Sequence, residues 1–280
     1  MSSYIASPYD ITFLSTQQAP VQEVFSSTQG EGPYIGLRQI FVRFAHCHLK
    51  CAYCDTPMHT PTGEAHLAPL PDTVQNTTLE HDTQHLANPV EMTVLYKHIA
   101  NIQAQIPHHS VSFTGGEPLL YHKALAVLMP AVQALGLKTY LETSASQPDF
   151  LASVMHACDI LAADIKLPSA THEAPLFEAH QATLSLAYGV IPSVFIKLIF
   201  NDTTTQEEMK QAQDVVLSSA KTLEQAKQTP IILQPETALE GTFHLKASQQ
   251  TMFQHQSDWL RAGFSNVRVI PQTHKVLAVR

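Results

Sequence analysis

The chain has 280 residues, 44% hydrophobic and only 14% charged, with 16 Lys and Arg against 24 Asp and Glu for a net charge of −8. This length and apolar content allow one large domain with a sizeable core, and exclude a collagen, a coiled coil and a chain disordered throughout. The acidic balance argues against a broad basic nucleic-acid footprint. The first residues (MSSYIASPYDITFL) lack the basic start and apolar run of a secretory signal. The longest apolar stretch, 124–137, is too short to span a bilayer and contains Pro130 and Gln133. The expectation is a soluble cytoplasmic protein with neither a membrane partner nor a direct nucleic-acid partner.

Residues 1–20 carry little periodicity and read as an N-terminal extension to a single domain over 21–280. Residues 39–44 (QIFVRF) are β-branched and aromatic, the pattern of a buried strand. Residues 57–88 are rich in Pro, Thr, His and Asp without an apolar period, and read as a surface insertion. The spacing of His59, His66, His81 and His85 within it fits no compact metal site. From there helix and strand alternate. Helices are predicted at 90–105, 121–135 with a bend at Pro130, 148–157, 207–227 and 249–262. Short apolar strands are predicted at 111–114, 138–142, 160–166, 194–200, 231–233 and 267–270. Repeated βα units imply a parallel sheet. About six units are too few for an eight-stranded barrel, so the expected class is α/β, an incomplete TIM-like βα barrel of about six strands.

Three of the four cysteines, Cys47, Cys51 and Cys54, fall within eight residues directly after the first predicted strand. Thiolates suit zinc and iron–sulfur clusters. Structural zinc takes four closed ligands, usually as two pairs, and no second pair is present; His46 or His48 would have to complete such a site. A cubane ordinarily takes four cysteines. Three close ones suggest a cubane with one iron left open to a small molecule. Cys158, alone in an apolar context, reads as a core position.

The C-x3-C-x2-C spacing, with Tyr53 just before the third cysteine, resembles the signature of the radical S-adenosylmethionine (SAM) superfamily. The resemblance implies a 4Fe–4S cluster on Cys47, Cys51 and Cys54 whose open iron is chelated by SAM. An electron then yields a deoxyadenosyl radical, which the protein positions and shields. Thr114-Gly115-Gly116-Glu117-Pro118, directly after a predicted strand, resembles the superfamily's GGEP segment. Alone, such a pair of glycines would read as an ordinary turn. Polar residues at later strand ends (Glu142 and Ser144, Asp164 and Lys166, Gln234) fit the same ligand-gathering face.

Other residues narrow the family. The segment 25–32 (FSSTQGEG), then Gly36 and FVRF at 41–44, Asp55-Thr56 after the last cysteine, and Pro271-Gln272-Thr273-His274-Lys275 resemble the 7-carboxy-7-deazaguanine synthases in order. The resemblance covers 21–56, 112–166 and 195 to the end. It implies a carbon–nitrogen lyase of queuosine and deazapurine biosynthesis, a route to tRNA modification, that contracts 6-carboxy-5,6,7,8-tetrahydropterin to 7-carboxy-7-deazaguanine and releases ammonia. Hydrogen is taken from C6 of the pterin and later returned, so that SAM is regenerated. By this resemblance Thr28, Gln29, Gly30 and Glu31 face the pterin, Arg43 holds its carboxylate as a bidentate fork, and Thr114 touches it. Thr56 matches a Mg2+ ligand, in keeping with magnesium's preference for oxygen donors and retained water. Tyr53, Asp55, Gly116, Glu117, Glu142, Ser144, Asp164, Ile165, Lys166, Gln234, Pro235, Glu236 and Thr237 match SAM-binding segments. Arg280 would occupy the place of a substrate-reaching C-terminus. An external electron donor such as a flavodoxin and a homodimer complete the expectation.

The sequence also departs from the family. The insertion at 57–88 is long, as is the helical stretch after Asn201, and ETSA stands at 142–145 where the family shows ETNG. Two rival readings are a glycyl-radical activase, which would share the cluster but act on a protein, and a zinc-binding RNA module.

Overall fold

A computed structural model describes residues 11–56, 63–70, 83–239 and 243–279. The strands are β1 (Gln18–Ala19), β2 (Val21–Thr28), β3 (Arg38–Phe44), β4 (Glu64–Leu67), β5 (Gln84–Ala87), β6 (Val90–Glu91), β7 (Ser110–Gly115), β8 (Lys138–Thr143), β9 (Ile160–Asp164), β10 (Ser193–Phe200), β11 (Ile231–Pro235) and β12 (Val267–Val269). Ten of them form one sheet in the order β12-β11-β10-β9-β8-β7-β3-β2-β4-β5. From β3 to β12 every pairing is parallel. These seven strands are the seven anticipated runs, one more than the expected six or so. The sheet runs from one edge at β12 to another at β5 without closing, so the barrel is partial.

The strands are short and nearly continuous in apolar character because both faces are covered; all five residues of β9 and of β11 are buried. Helices cover one face. In Met92–Gln105, for example, Leu95, Tyr96, Ile99 and Ile102 form a buried stripe at helical spacing. The opposite face holds a smaller cluster of Tyr140, Ile160, Ala162, Phe195 and Ile232, with Tyr34 and Ile270 packed on it. Side chains alternate along a strand. The residues two positions beyond that cluster therefore share its face: Glu142, Asp164, Lys197 and Gln234, at the carboxyl ends of four neighbouring strands.

Three elements differ from expectation. The 57–88 segment is not without regular structure. Its ends pair as a hairpin, Glu64↔Ala87 to Leu67↔Gln84, and β4 adds alongside β2. Ala65 and Leu67 are buried while Glu64 and His66 are exposed, a two-residue period over too few residues to mark a strand in the sequence. His66 and His85 face each other there with ring centroids 4.6 Å apart. His59 and His81 lie outside the described residues. Next, the predicted helix 207–227 is two helices, Gln206–Ser219 and Leu223–Gln228. Thr205 caps the first in a reciprocal capping box with Glu208, and Thr222 restarts the second by accepting from the Gln225 amide. Finally, residues 11–19 form a 3-10 turn and β1, which pairs antiparallel with β6, and Leu14 and Ala19 are fully buried. Among the described residues no helix is long and apolar enough to cross a membrane.

Candidate active site

The strand ends surround a cavity of about 390 Å3. Its first wall is the cysteine loop that leaves β3. Cys47, Cys51 and Cys54 all line the cavity, are partly exposed and are free thiols. The loop is pinned from outside: the Ala52 amide donates to the Thr171 carbonyl (2.9 Å) and the Lys50 amide to Glu173 Oε1 (2.5 Å). Burial pushes the Cys47 thiol up to about 11 and raises that of Cys51. Both would rest as thiols in the metal-free chain and would bind iron as thiolates. Among the described residues no three or more His, Cys, Asp or Glu side chains converge as ligands of one ion. A cubane takes one thiolate per iron and does not require such convergence. Cys158 is buried in the core and donates to the Ile160 carbonyl.

The Gly115-Gly116 turn presses on this loop. Gly115 has φ +112°, the left-handed region that favours glycine, and a Cβ on Gly116 would sit 1.8 Å from the His46 carbonyl oxygen. The close approach is held by Gly116 N to Phe44 O (3.0 Å) and Glu117 N to His46 O (2.8 Å). Glu117 itself does not line the cavity. Its fully buried carboxylate accepts from Leu119 N (3.0 Å), Thr143 Oγ1 (2.7 Å), Ser144 N (2.9 Å) and Ser144 Oγ (2.6 Å), which ties the end of β7 to that of β8. A carboxylate so fully used has little capacity left for a ligand.

Next to the cysteines lies a wall of unspent acceptors. Asp164 Oδ1, Gln234 Oε1 and Thr237 Oγ1 are buried without a hydrogen-bond partner, and all three residues line the cavity. Buried polar atoms are nearly always paired, so three orphans on one wall mark where a polar ligand belongs. Asp164 Oδ2 is held by Lys166 Nζ (2.8 Å), which also donates to Tyr53 OH (3.1 Å). Burial would lower the Lys166 ammonium, but Asp164, Tyr53 and Cys51 outweigh it and hold the group well above its ordinary range. Glu236 is anchored by Asn201 Nδ2 (2.6 Å) and Lys246 Nζ (2.6 Å). Ile165 and Pro235 do not line the cavity; Ile165 is fully buried and bonds through its amide to the Lys197 carbonyl (2.9 Å). The thiols and these orphaned acceptors fit an iron–sulfur cluster with SAM beside it.

The facing wall comes from β2, β3 and the chain after β12. Register places Glu23 opposite Arg43, and Arg43 opposite Thr114. Arg43 Nε donates to Glu23 Oε1 (2.8 Å), Nη1 lies 3.4 Å from Thr56 Oγ1, and the guanidinium sits over the Phe25 ring, which stacks on Phe41. Thr56 could give a cation one hydroxyl, the remaining positions falling to water and ligand oxygens. Thr28, Gln29, Gly30 and Glu31 follow β2 and all line the cavity. The Gln29 side chain spans Gln39 Oε1 (2.9 Å) and the Glu31 amide (3.0 Å). The Gly30 carbonyl accepts from the amide and hydroxyl of Thr273 (2.9 Å each). Gln272 donates to Glu31 Oε1 (2.9 Å), and Lys275 pairs with Asp55 (2.8 Å). The expected substrate contact Arg280 lies outside the described residues.

Sequence reasoning missed Glu23 and Lys197 and gave His274 no role beyond its place in the terminal PQTHK segment; all three line the cavity. Lys197 is the strongest omission: its ammonium reaches Glu31 Oε2 (2.7 Å), Glu142 Oε1 (2.5 Å) and Asp164 Oδ2 (3.5 Å). A lone Lys inside SVFIKLIF was the available signal, since a buried ammonium needs partners. Burial alone would raise the Glu31 carboxyl, yet Lys197 and the Gln272 hydrogen bond hold it at about 2.

No protein-family model matches the chain. It is 34% identical over 266 residues to a 7-carboxy-7-deazaguanine synthase from Geobacter sulfurreducens, covering 94% of this chain and 99% of the relative. It is 33% identical over 268 residues to one from Archaeoglobus fulgidus, covering 94% and 100%. Among solved structures, a crystal structure of QueE from Escherichia coli matches with a TM-score of 0.56 at 17% identity, over 94% of this chain and 99% of that one, a likeness of fold. The chain therefore belongs to the 7-carboxy-7-deazaguanine synthases, radical SAM lyases that use SAM and a 4Fe–4S cluster to make 7-carboxy-7-deazaguanine by contracting a pterin ring.

Proposed function

We propose that this cavity contracts 6-carboxy-5,6,7,8-tetrahydropterin to 7-carboxy-7-deazaguanine with loss of ammonia, its two walls dividing the work. Cys47, Cys51 and Cys54 hold the cluster. Tyr53, Asp55, Gly116, Glu142, Ser144, Asp164, Lys166, Gln234, Glu236 and Thr237 surround SAM, with Ile165 and Pro235 supplying backbone to the same segments and Glu117 bracing Ser144. Together the two cofactors supply a carbon radical able to take hydrogen from a strong C–H bond. Thr28, Gln29, Gly30 and Glu31 receive the pterin edge, whose N–H groups suit carbonyl and carboxylate acceptors. Arg43, fixed through Nε by Glu23, turns its remaining N–H groups to the substrate carboxylate, and Thr114 borders the same space. Thr56 gives Mg2+ one oxygen, and the ion neutralises and orients that carboxylate. The reading further includes a homodimer in the cytoplasm, a flavodoxin-like electron donor and a product destined for deazapurine and tRNA modification.

The observation that carries this reading is that three free cysteines, three orphaned buried acceptors and the Arg43–Glu31 wall open onto one cavity of about 390 Å3. Anaerobic incubation with SAM, reductant, Mg2+ and the carboxytetrahydropterin should yield the deazapurine by mass, with no protein substrate added. No product from a protein loaded with iron and sulfide would refute the assignment. Thr56→Ala should weaken the magnesium dependence of the rate; an unchanged titration would remove Thr56 from that role.

A further inference from the structure

Lys197 is 4% exposed at the centre of the cavity floor, and the assignments above give it no role. Its strand sets it in register with Asp164. Three carboxylates from three elements face it: Glu31 after β2, Glu142 on β8 and Asp164 on β9. The other charged or titratable groups nearby are Tyr140, Tyr34, His274 beside Glu31, and Lys166, which donates to the same Asp164 oxygen, Oδ2. Glu31 and Glu142 each have a second donor from behind, Gln272 on Glu31 Oε1 (2.9 Å) and Thr114 on Glu142 Oε2 (3.0 Å). Both carboxylates are thereby oriented and both line the cavity. An ionised carboxylate only accepts, whereas a protonated one also donates. Burial favours the protonated form of Glu31, and the Lys197 cation opposes it.

We propose that Lys197 is a positioning residue that keeps the Glu31 carboxylate aimed and accepting, so that it takes the N–H groups of the reduced pterin, while the same ammonium anchors Glu142 beside SAM. The inference rests on the ring-contraction reading. It makes recognition depend on one buried charge that touches neither the cluster nor the substrate carboxylate. A filler of the same shape without charge would leave the packing near Ile199 and Phe195 but let Glu31 recapture a proton.

The test is the pH profile of kcat/KM for the carboxytetrahydropterin in the reconstituted enzyme, for wild type, Lys197→Met and Lys197→Arg. Removing an opposite charge at this range should move the acid limb of Lys197→Met upward by about 1–3 pH units, with KM rising more than kcat falls. Lys197→Arg keeps the charge, so its acid limb should stay with wild type although its KM rises. His274 is present in all three proteins and cancels from the comparison. A Lys197→Met limb superimposed on wild type overturns the role. Should that variant not fold, Lys197→Arg decides: a limb displaced upward despite the retained charge overturns it. No turnover by wild type would overturn both this inference and the reading beneath it, while wild-type turnover with an unmoved limb removes the Lys197 role alone.

Discussion

The tightest contact in the site is the one between Gly116 and the cysteine loop, and Gly116→Ala tests it. The new Cβ would lie 1.8 Å from the His46 carbonyl oxygen, 2.4 Å from its carbon and 3.1 Å from the Cys47 nitrogen. A relaxed C···O contact is about 3.3 Å, so the backbone must retreat by about 1.5 Å. No flexible side chain can absorb this. Two hydrogen bonds clamp the turn to the loop, at 3.0 and 2.8 Å. Losing both costs about 1 kcal/mol each, and overpacking adds about 1–3 kcal/mol, for a destabilisation on the order of 4 kcal/mol. The loop is the softer partner because Cys47 is partly exposed while β7 is buried. Cys47 is therefore the atom set that moves, and a misplacement of about 1 Å near the chemistry costs about a hundredfold in rate. Iron per chain after anaerobic reconstitution and turnover of the carboxytetrahydropterin are the readouts. Gly63→Ala, with nothing among the described residues within 4 Å of the new Cβ, is the control. Wild-type iron content and rate in Gly116→Ala would refute the reasoning.

Three other substitutions probe different parts of the wall. Glu117→Ala strands four buried donors and should cost about 3–5 kcal/mol; a cofactor-free melting temperature equal to wild type would mean that the donors find other partners. Arg43→Lys replaces a fork that serves Glu23 and the substrate together with a point charge. It should raise KM tenfold or more, about 1.4 kcal/mol, with a smaller change in kcat, and normal kinetics would point to another carboxylate anchor. Glu31 titrates at about 2 in the folded chain against an ordinary 4.5. Its folded pKa is depressed, so its contribution is complete above about pH 4.5 and is lost as pH falls toward 2; it is at most on the order of 3 kcal/mol. Glu31→Gln should flatten the pH dependence of unfolding within that window, and an unchanged slope would assign the acid sensitivity elsewhere.

The fold was legible wherever chemistry is local. The parallel strands stood out because most are short apolar runs buried on both faces, as in QIFVRF at 39–44. Elements whose stability comes from a distant partner did not stand out. β2, VQEVFSST, mixes polar residues through its length because its neighbour on one side is the short β4. The β4–β5 hairpin has four residues per strand, fewer than periodicity needs to show itself. The break between Ser219 and Thr222 was hidden because Thr222 can sit in a helix or cap one, and only the Gln225 amide it accepts from decides.

The site divides along the same line. Cysteines four and three residues apart, or two adjacent glycines, carry their meaning within the chain. A network spanning strands does not, because parallel neighbours are joined through helices, and their register is fixed by how those helices pack on the far face. Lys197 and Asp164 are thirty-three positions apart in sequence yet directly paired across β9 and β10, and Glu23, Arg43 and Thr114 align only once β2, β3 and β7 are laid side by side. Parity alone puts Glu142, Asp164, Lys197 and Gln234 on one face. Register then decides that the single cation among them stands between three carboxylates and not beside the orphaned Gln234 Oε1. That choice gives one stretch of the wall fixed negative acceptors and leaves the next stretch neutral and unsatisfied. Two ligands of different polarity can therefore be told apart within one cavity.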